Sequence, residues 1–150
     1  MSEIHVGLAS FGMSGKVFHA PILANHRGFR ISKIVERGKN EAKNIYPEIE
    51  SVRSFDELLD DDKIELVVVN TPDTTHYEYA HKALKAGKHV VVEKPFTRTI
   101  KQGEELINLA DRKNVVLSVF QNRRWDGDFL TVRKIVENDW LGRLVEFESG

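Results

Sequence analysis

The residues that follow the first apolar run have the spacing of a phosphate-binding turn. Their order, Ser-Phe-Gly-Met-Ser-Gly, is that of the dinucleotide fingerprint G-x-G-x-x-G with serine in the first position. Gly12 would let the backbone approach a pyrophosphate, and Gly15 would let the next helix pack closely on the strand. An ordinary glycine-rich turn is the alternative, but a strand before it and a helix after it favour phosphate binding. The candidate residues are Ser10, Phe11, Gly12, Met13, Ser14 and Gly15.

An acidic and a basic residue stand side by side at the end of the second apolar run. Glu36 follows Gly15 by 21 positions, close to where an acidic residue meets the adenosine ribose hydroxyls of NAD. Arg37 could instead pair with the 2′-phosphate of NADP and stack on the adenine. The two residues favour different cofactors, and a solvated charge pair is a third interpretation. Between the two cofactors, we expect NADP rather than NAD.

A polar loop at positions 70–76 follows the central apolar run. If a pyrophosphate binds the first turn, this loop lies beside the nicotinamide ribose, which makes Asn70, Thr71 and Pro72 candidate cofactor contacts. Thr74 or Thr75 is a candidate cap for the next helix. His76 fits equally well as a first-turn helix residue and as a contact to cofactor or substrate.

The next apolar run ends at Glu93, Lys94 and Pro95. A residue directly before proline is disfavoured in helical backbone, so the Lys94 ammonium can be aimed into a cleft at the mouth of the strand. Hydride removal from a carbon that bears a hydroxyl needs stabilisation of the alkoxide charge, which a lysine hydrogen-bonded to that hydroxyl provides. A lone lysine is otherwise most often a surface residue. We predict that Lys94 is catalytic and that Glu93, Lys94 and Pro95 all contact the cofactor.

The last polar loop gathers two guanidinium groups, two amides and an indole at positions 121–125. Asn122 and Arg123 are candidate contacts to the cofactor, and Arg124 and Trp125 are candidate contacts to a polyhydroxylated or anionic substrate. A charged loop at the start of a helix is the alternative. His19, just before a proline break, is interpreted as structural. The spacing of Asp, Glu and His predicts no metal site.

Apolar, β-branched runs alternate with amphipathic stretches along the chain. Triplets such as Val67-Val68-Val69 do not alternate with polar residues, which is typical of strands buried on both faces of a parallel sheet. The alternation predicts an α/β fold with a doubly wound, mostly parallel Rossmann sheet and right-handed crossovers. The predicted strands are residues 4–9, 30–35, 64–69, 89–92 and 115–120.

Capping signals mark the helices between these strands. Ser54 with Glu57, and Thr99 with Gln102, have the spacing of capping boxes. A helix from about Thr75 should end at Gly87, a good left-handed terminator, and another should start at Asp126. The side chains expected to be buried are Ala80, Ala83 and Leu84 in the helix before Gly87, Gly103, Leu106, Ile107 and Ala110 in the helix after Thr99, and Phe129, Val132 and Val136 in the last helix.

The composition argues against several classes of partner. Lys plus Arg (22) nearly cancels Asp plus Glu (23) in the 150 residues, so nucleic acid and anionic lipid are not expected to bind by electrostatics. There is no cysteine, and no apolar run has the length of a membrane span. The N-terminus enters a strand-like run without a signal peptide, so we expect a cytoplasmic protein.

The final segment departs from the pattern of the preceding strands. Residues 144–149 alternate apolar and polar side chains, which is typical of a strand with one solvent-facing side. We interpret residues 1–142 as a dinucleotide-binding domain and residues 143–150 as the first strand of a second domain.

Together these motifs resemble the Gfo/Idh/MocA family, named for glucose–fructose oxidoreductase, inositol dehydrogenase and rhizopine catabolism. Glu93-Lys94-Pro95 is the most specific of them, and the glycine turn, the Thr71–His76 loop and Asn122-Arg123-Arg124 also match. The segments 18–21 and 120–127 resemble the branch that contains NADP-dependent scyllo-inositol dehydrogenases. Ser10 departs from the family pattern, in which glycine is usual.

The resemblance implies an NAD(P)-dependent enzyme that transfers a hydride between its cofactor and a hydroxyl of a sugar or cyclitol. In it Lys94 touches the reacting hydroxyl, and the Lys94–Pro95 bond is often cis. Family members have more than twice this length, with a C-terminal α+β open-sheet domain that carries the catalytic His and Asp and the oligomer interface. We therefore expect that domain to be missing here, so that this chain binds cofactor without turnover, and the full-length protein to be a homo-oligomer.

Two other functions are compatible with the same fold. A non-catalytic NAD(P)-binding sensor would have no need of a lysine beside a substrate hydroxyl, so Lys94 argues against it. A methyltransferase can use a similar sheet and turn, but the Glu-Lys-Pro segment and the Thr-Pro loop argue against that function.

Overall fold

The structure is a computed structural model that describes residues 3–148. It divides into two compact units, Met1–Phe120 and Gln121–Gly150. Within the described residues, no helix is both long enough and apolar enough to cross a lipid bilayer.

The first unit is built on a parallel sheet with strand order β3-β2-β1-β4-β5-β6. The chain moves outward from β1 to β3 on one side and then returns to the centre and moves outward again from β4 to β6. This order confirms the predicted doubly wound α/β Rossmann sheet. The strands are β1 Ile4–Leu8, β2 Phe29–Val35, β3 Glu50–Val52, β4 Leu66–Val69, β5 His89–Val92 and β6 Leu117–Val119.

β3 is a strand that the apolar pattern did not predict. It has three residues, Glu-Ser-Val, and pairs with β2 through Lys33 with Glu50 and Val35 with Val52. Of its three side chains only Val52, which is 4% exposed, belongs to the core. A segment with one apolar residue gives no periodic signal.

The helices lie on both faces of the sheet. A π-helical turn at Gly15–His19 leads into α1, and the N–H of Ala20 closes it by donating to the Gly15 carbonyl oxygen. The following helices of this unit are α1 Ala20–Ala24, α2 Glu41–Ile45, α3 Phe55–Leu59, α4 Asp73–Lys85 and α5 Ile100–Lys113.

The predicted caps of α3 and α5 are confirmed. Ser54 Oγ accepts from the Glu57 N–H at 3.2 Å, and Thr99 Oγ1 accepts from the Gln102 N–H at 3.3 Å. The cap predicted at Thr74 or Thr75 is wrong, because α4 already begins at Asp73, with Pro72 in the cap position. The Thr75 hydroxyl donates to the Pro72 carbonyl oxygen at 2.8 Å instead of accepting a backbone N–H.

The buried side chains of α4 and α5 follow a helical stripe. Ala80, Ala83 and Leu84 are fully buried as predicted, and Gly87 has the positive φ of 76° that a left-handed terminator needs. In α5 the prediction for Ile107 is wrong, since it is 51% exposed. Successive helical residues are about 100° apart, so the buried stripe that contains Leu106 continues to Leu109 and Ala110 and passes Ile107. Gly103, Leu106 and Ala110 are buried as predicted.

The second unit contains a 3₁₀ turn, Asn122–Trp125, and α6, Gly127–Glu137. The start of α6 after Asp126 is as predicted, but the expected burial of three of its side chains is wrong. Residues 138–148 contain no strand or helix that could form a second layer over α6 within this unit. Phe129, Val132 and Val136 are 47%, 39% and 47% exposed.

The strand predicted over residues 144–149 is absent from residues 144–148, since no partner strand accompanies them. Ser149 and Gly150 lie outside the described residues. The assignment of residues 143–150 to a second domain therefore stays a prediction.

Two neighbouring positions of α5 test the assignment of its buried face. Leu106→Ala should lower the free energy of unfolding by about 2–5 kcal/mol, because a fully buried leucine leaves a cavity. Ile107→Ala should cost less than about 1 kcal/mol, because half of that side chain is already in water. Urea unfolding of the chain measures both values. Equal losses would contradict the face assignment.

Candidate functional site

The candidate site residues of the first unit meet at the carboxyl ends of the parallel strands. β1 and β4 are neighbours at the centre of the sheet, where the strand order reverses, and doubly wound sheets bind ligands at this point. The glycine turn follows β1, Glu36 and Arg37 follow β2, Asn70 follows β4, and Glu93 and Lys94 follow β5. Within residues 3–148, no three His, Cys, Asp or Glu side chains are grouped to hold a metal ion.

Ser10 and Asn70 join the ends of the two central strands through reciprocal hydrogen bonds. The Ser10 N–H donates to Asn70 Oδ1 at 3.0 Å, and the Asn70 amide donates to the Ser10 carbonyl oxygen at 2.9 Å. The Ser10 hydroxyl donates to the Asn70 carbonyl oxygen at 3.0 Å. Asn70 is 4% exposed, so its side chain supports the turn from the buried side. The serine in place of the first glycine is held by these contacts.

Gly15 occupies a position where a side chain would not fit. A Cβ there would lie 2.8 Å from the Ser10 carbonyl oxygen and 2.9 Å from Asn70 Nδ2. The close packing predicted for Gly15 is therefore confirmed. Gly12 differs, because a Cβ there would meet only Ser10 Oγ, at an ordinary 3.7 Å. The protein's own packing does not require glycine at position 12, which is consistent with a ligand approaching the backbone there.

The rest of the turn offers backbone groups. The Phe11 side chain is buried and packs edge-on against Tyr46, whereas Met13 is exposed. The N–H groups of Phe11, Met13 and Ser14 donate to no acceptor within residues 3–148. Free N–H groups at the start of a helix bind phosphate oxygens. The turn therefore fits a pyrophosphate through its backbone.

The Glu36 carboxylate is buried and engaged with the protein itself. Oε1 accepts from the N–H groups of Glu41 at 2.9 Å and Ala42 at 3.2 Å. Oε2 accepts from the Ala42 N–H at 3.2 Å and from the Ser51 hydroxyl at 2.7 Å. Glu36 is 7% exposed and satisfies free donors at the start of α2. It would have to give up these bonds to accept a ribose hydroxyl.

Arg37, the next residue, is exposed. Its Nη2 donates to the Tyr79 hydroxyl at 3.0 Å, and the Tyr79 ring stacks on Phe55 with centroids 4.3 Å apart. The guanidinium is thus held at the surface by one hydrogen bond to a supported ring. Because the side chain is exposed, its other N–H groups can donate to a phosphate oxygen.

Other cations lie in the same part of the chain. Arg53 donates to the carbonyl oxygens of Glu36 at 2.7 Å and Lys39 at 2.8 Å, which fixes the loop that carries Arg37. Lys16 and Lys39 both pair with Glu41, and these contacts lower the pKa of the Glu41 carboxyl. Two lysines therefore share the Glu41 carboxylate.

His76 is buried between two backbone carbonyl groups. Its Nδ1 lies 2.8 Å from the Pro95 carbonyl oxygen, and its Nε2 lies 2.8 Å from the Thr71 carbonyl oxygen. It is 1% exposed, so its ring links the Thr71 loop to the Pro95 loop and is not itself open to a ligand. Thr71 is half-buried and Pro72 is exposed, which leaves their loop accessible to a ligand.

Lys94 is exposed at the end of β5, and the residues beside it are held in place. The Lys94–Pro95 peptide bond is cis. Glu93 is 9% exposed and lies against His19, with His19 Nε2 3.0 Å from Glu93 Oε1. Burial lowers the pKa of the His19 imidazole, although the Glu93 carboxyl opposes that shift. His19 is 4% exposed and contacts the Phe120 ring.

The candidates of the last loop lie in the second unit. Arg123 donates to Asp126 Oδ2 at 2.7 Å, which raises the pKa of the guanidinium, and Asn122 is half-buried. The Arg124 guanidinium lies 5.8 Å from the centre of the Trp125 ring. Arg124 and Trp125 line an open cleft of about 510 Å³ with Gln121, Phe129 and Arg133.

Several residues that shape the site were not candidates from the sequence. Ser51, Arg53 and Tyr79 act through side-chain contacts to residues 15 to 42 positions away. No local pattern connects such pairs. The only available signal was the placement of Ser51 and Arg53 near a strand end, and that strand was not predicted.

Comparison with known proteins gives a consistent result. A family model described as an oxidoreductase family with an NAD-binding Rossmann fold, GFO_IDH_MocA, matches residues 4–121. The NADP-dependent scyllo-inositol 2-dehydrogenase IolW of Bacillus subtilis (strain 168) is 47% identical over 94% of this chain and 39% of its own length.

Solved structures share the fold at high similarity. A Bacteroides fragilis NCTC 9343 crystal structure has a TM-score of 0.91 and 62% identity, covering 96% of this chain and 43% of that one. GenD2 from gentamicin A biosynthesis, in complex with NAD, has a TM-score of 0.85 and 25% identity, covering 93% of this chain and 40% of that one. The chain spans about two fifths of the length of the curated relatives that it matches, from 39% to 42% for the first two.

The two glycines of the turn should respond differently to the same substitution. Gly15→Ala should lower the free energy of unfolding by about 1–3 kcal/mol, because the methyl group collides with Ser10 and Asn70. Gly12→Ala, the matched control, should change it by less than about 0.5 kcal/mol. Urea unfolding measures both. A stable Gly15→Ala variant would show that the turn relaxes and does not constrain the site.

Proposed function

The chain belongs to the Gfo/Idh/MocA family of oxidoreductases, and on that basis we propose that its protein transfers a hydride between NADP and a hydroxyl-bearing carbon of a sugar or cyclitol. The observation that carries the proposal is the exposed Lys94 at the same edge of the sheet as the glycine turn. Its neighbours Glu93 and Pro95 are both in contact with buried histidines. IolW, a scyllo-inositol dehydrogenase, supports the choice of a cyclitol.

In this proposal the turn at Gly12 binds the pyrophosphate through free backbone N–H groups. The loop at Thr71 and Pro72 lies beside the nicotinamide ribose. When bound, the cofactor supplies the ring that accepts or returns the hydride. The Lys94 ammonium donates a hydrogen bond to the substrate hydroxyl and stabilises negative charge on that oxygen as the hydride leaves.

The contacts of Glu36 and Arg37 support NADP over NAD. NAD recognition at this position uses a carboxylate that accepts from the ribose hydroxyls. Glu36 has its two oxygens engaged by Glu41, Ala42 and Ser51, and it is nearly inaccessible. Arg37 is exposed and keeps donors for a 2′-phosphate. The carboxylate that would favour NAD is therefore occupied, and the cation that favours NADP is free to bind.

Removal of the Arg37 side chain tests the cofactor choice. Arg37→Ala should weaken NADPH binding by about 1–3 kcal/mol, which is roughly 5- to 150-fold, because a charge-assisted bond to the phosphate is lost. NADH binding should stay within about twofold. Fluorescence titration with both nucleotides measures the difference.

A matched control for Arg37 is Arg30→Ala, since Arg30 is also exposed but lies near the amino end of β2. That variant should bind both nucleotides as the unmodified chain does. Equal losses for NADPH and NADH in Arg37→Ala would remove Arg37 from the phosphate site. Failure of both nucleotides to bind the unmodified chain would overturn the proposed function.

Replacement of Lys94 separates an enzyme from a cofactor-binding sensor. In the full-length protein, Lys94→Ala should lower kcat for oxidation of a cyclitol by about 100-fold or more, because the developing alkoxide loses its cation. NADPH binding should stay within about threefold. Steady-state assays with NADP and scyllo-inositol, beside binding titrations, provide the measurement.

The control for this substitution is Lys101→Ala, an exposed lysine on α5. It should leave kcat unchanged. Unaltered turnover in Lys94→Ala would remove Lys94 from the chemistry. Absence of turnover with any sugar or cyclitol, together with NADPH binding, would favour a sensor.

A further inference from the structure

A buried polar pair lies next to the exposed Lys94 and connects it with the helix that follows the glycine turn. His19 Nε2 lies 3.0 Å from Glu93 Oε1, and the two residues are 4% and 9% exposed. The other Glu93 oxygen, Oε2, accepts from the Lys94 N–H at 3.2 Å. A continuous chain of polar contacts therefore runs from His19 through one carboxylate to the Lys94 backbone.

The direction of the His19–Glu93 hydrogen bond follows from the chemistry of the carboxylate. A carboxylate can only accept, so His19 Nε2 carries a proton and donates it to Glu93. Burial lowers the pKa of His19. His19 is a donor that holds a carboxylate in one orientation.

Stability alone gives a weak reason for this pair. Buried polar and ionic pairs cost desolvation, and apolar side chains of similar volume often stabilise a protein as well or better. His19 already lies against Phe120, with ring centroids 4.3 Å apart, so an apolar residue would fit that surface. What the pair supplies, and an apolar residue would not, is a fixed direction for Glu93.

The backbone on both sides of Lys94 is fastened. The Glu93 N–H donates to the Val69 carbonyl oxygen at 3.0 Å, which holds the end of β5 against β4. On the other side, His76 Nδ1 lies 2.8 Å from the Pro95 carbonyl oxygen. Lys94 is exposed, and hydrogen bonds hold the backbone of both of its neighbours.

We propose that His19 is a positioning residue for Lys94, acting through Glu93. His19 stands at the end of the π-helical turn that begins at Gly15, so the same short segment carries both the glycine turn and the support of the lysine. The role of Lys94 in this proposal rests on the proposed function. The orientation of the Lys94 backbone by Glu93 does not, and it is measurable without turnover.

Two variants separate the donor of His19 from its volume. His19→Leu removes the donor and keeps an apolar side chain against Phe120. His19→Gln keeps an N–H donor at a similar reach. In the full-length protein, His19→Leu should lower kcat about 10- to 100-fold with the KM for NADP within about twofold, because Lys94 is misplaced while the cofactor turn is intact. His19→Gln should retain kcat within about threefold.

A double mutant that combines His19→Leu with Lys94→Ala distinguishes positioning of Lys94 from a general structural role of His19. If His19 acts through Lys94, adding His19→Leu to Lys94→Ala should lower kcat no further. The same fold loss in both backgrounds would overturn the proposal, as would equal losses for the leucine and glutamine variants.

Amide exchange in the 150-residue chain gives an independent readout. His19→Leu should speed exchange of the Lys94 backbone N–H about tenfold or more, because the Glu93 carboxylate loses its orientation. The Val90 N–H, bonded to the Val116 carbonyl oxygen, is the control and should not change, and His19→Gln should preserve Lys94 protection. Faster Lys94 exchange in the 150-residue chain, together with no turnover by the full-length protein, would keep the network and reject the proposed function. Unchanged exchange in His19→Leu would reject the network whatever the activity.

Discussion

The reciprocal contact between Ser10 and Asn70 is the constraint on which the site depends. It ties the carboxyl ends of β1 and β4 together where the strand order reverses, and it leaves no room for a Cβ at Gly15. The first helical turn therefore starts against the sheet, with its free N–H groups at the edge. That placement also brings His19, at the end of the turn, to Glu93 at the end of β5. The Ser10–Asn70 contact thus holds the phosphate turn against the sheet, and the helical turn that follows carries His19 to the lysine segment.

Glu36 and Arg37 are adjacent charged residues with different roles, one structural and one exposed to a ligand. Glu36 directly follows β2 and is buried, whereas Arg37 lies in the bend that comes next and is exposed. Glu36 faces the start of α2 and satisfies its free donors, whereas Arg37 reaches the surface and the Tyr79 hydroxyl. Their charges cancel in the sequence, but only the arginine is presented to a ligand. The electrostatic character of the site is therefore set by burial rather than by composition.

Periodic sequence patterns predicted the helices and strands that bury several residues. They failed for elements that bury a single residue. The strands rich in valine, the caps at Ser54 and Thr99, and the terminator Gly87 all appear as predicted. β3 was missed because a three-residue edge strand buries a single valine. Ile107 was misassigned because the buried stripe of α5 is centred on Leu106 and Ala110 and widens toward Leu109, on the side away from Ile107. The burial expected for α6 was wrong because an apolar helical pattern does not reveal whether a covering layer is present.

The sequence by itself determined the class of fold, the positions of five of the six strands, and which segments end at the ligand-binding edge. Those properties depend on local periodicity and on the rule that parallel strands place their carboxyl ends together. Only the tertiary structure decided that Asn70 fastens Ser10, that Glu36 is occupied by α2 and Ser51, and that His19 and His76 hold the residues on either side of Lys94. These contacts join residues as far as 74 positions apart, and their strength depends on burial and hydrogen-bond geometry, which are set by packing rather than by local sequence.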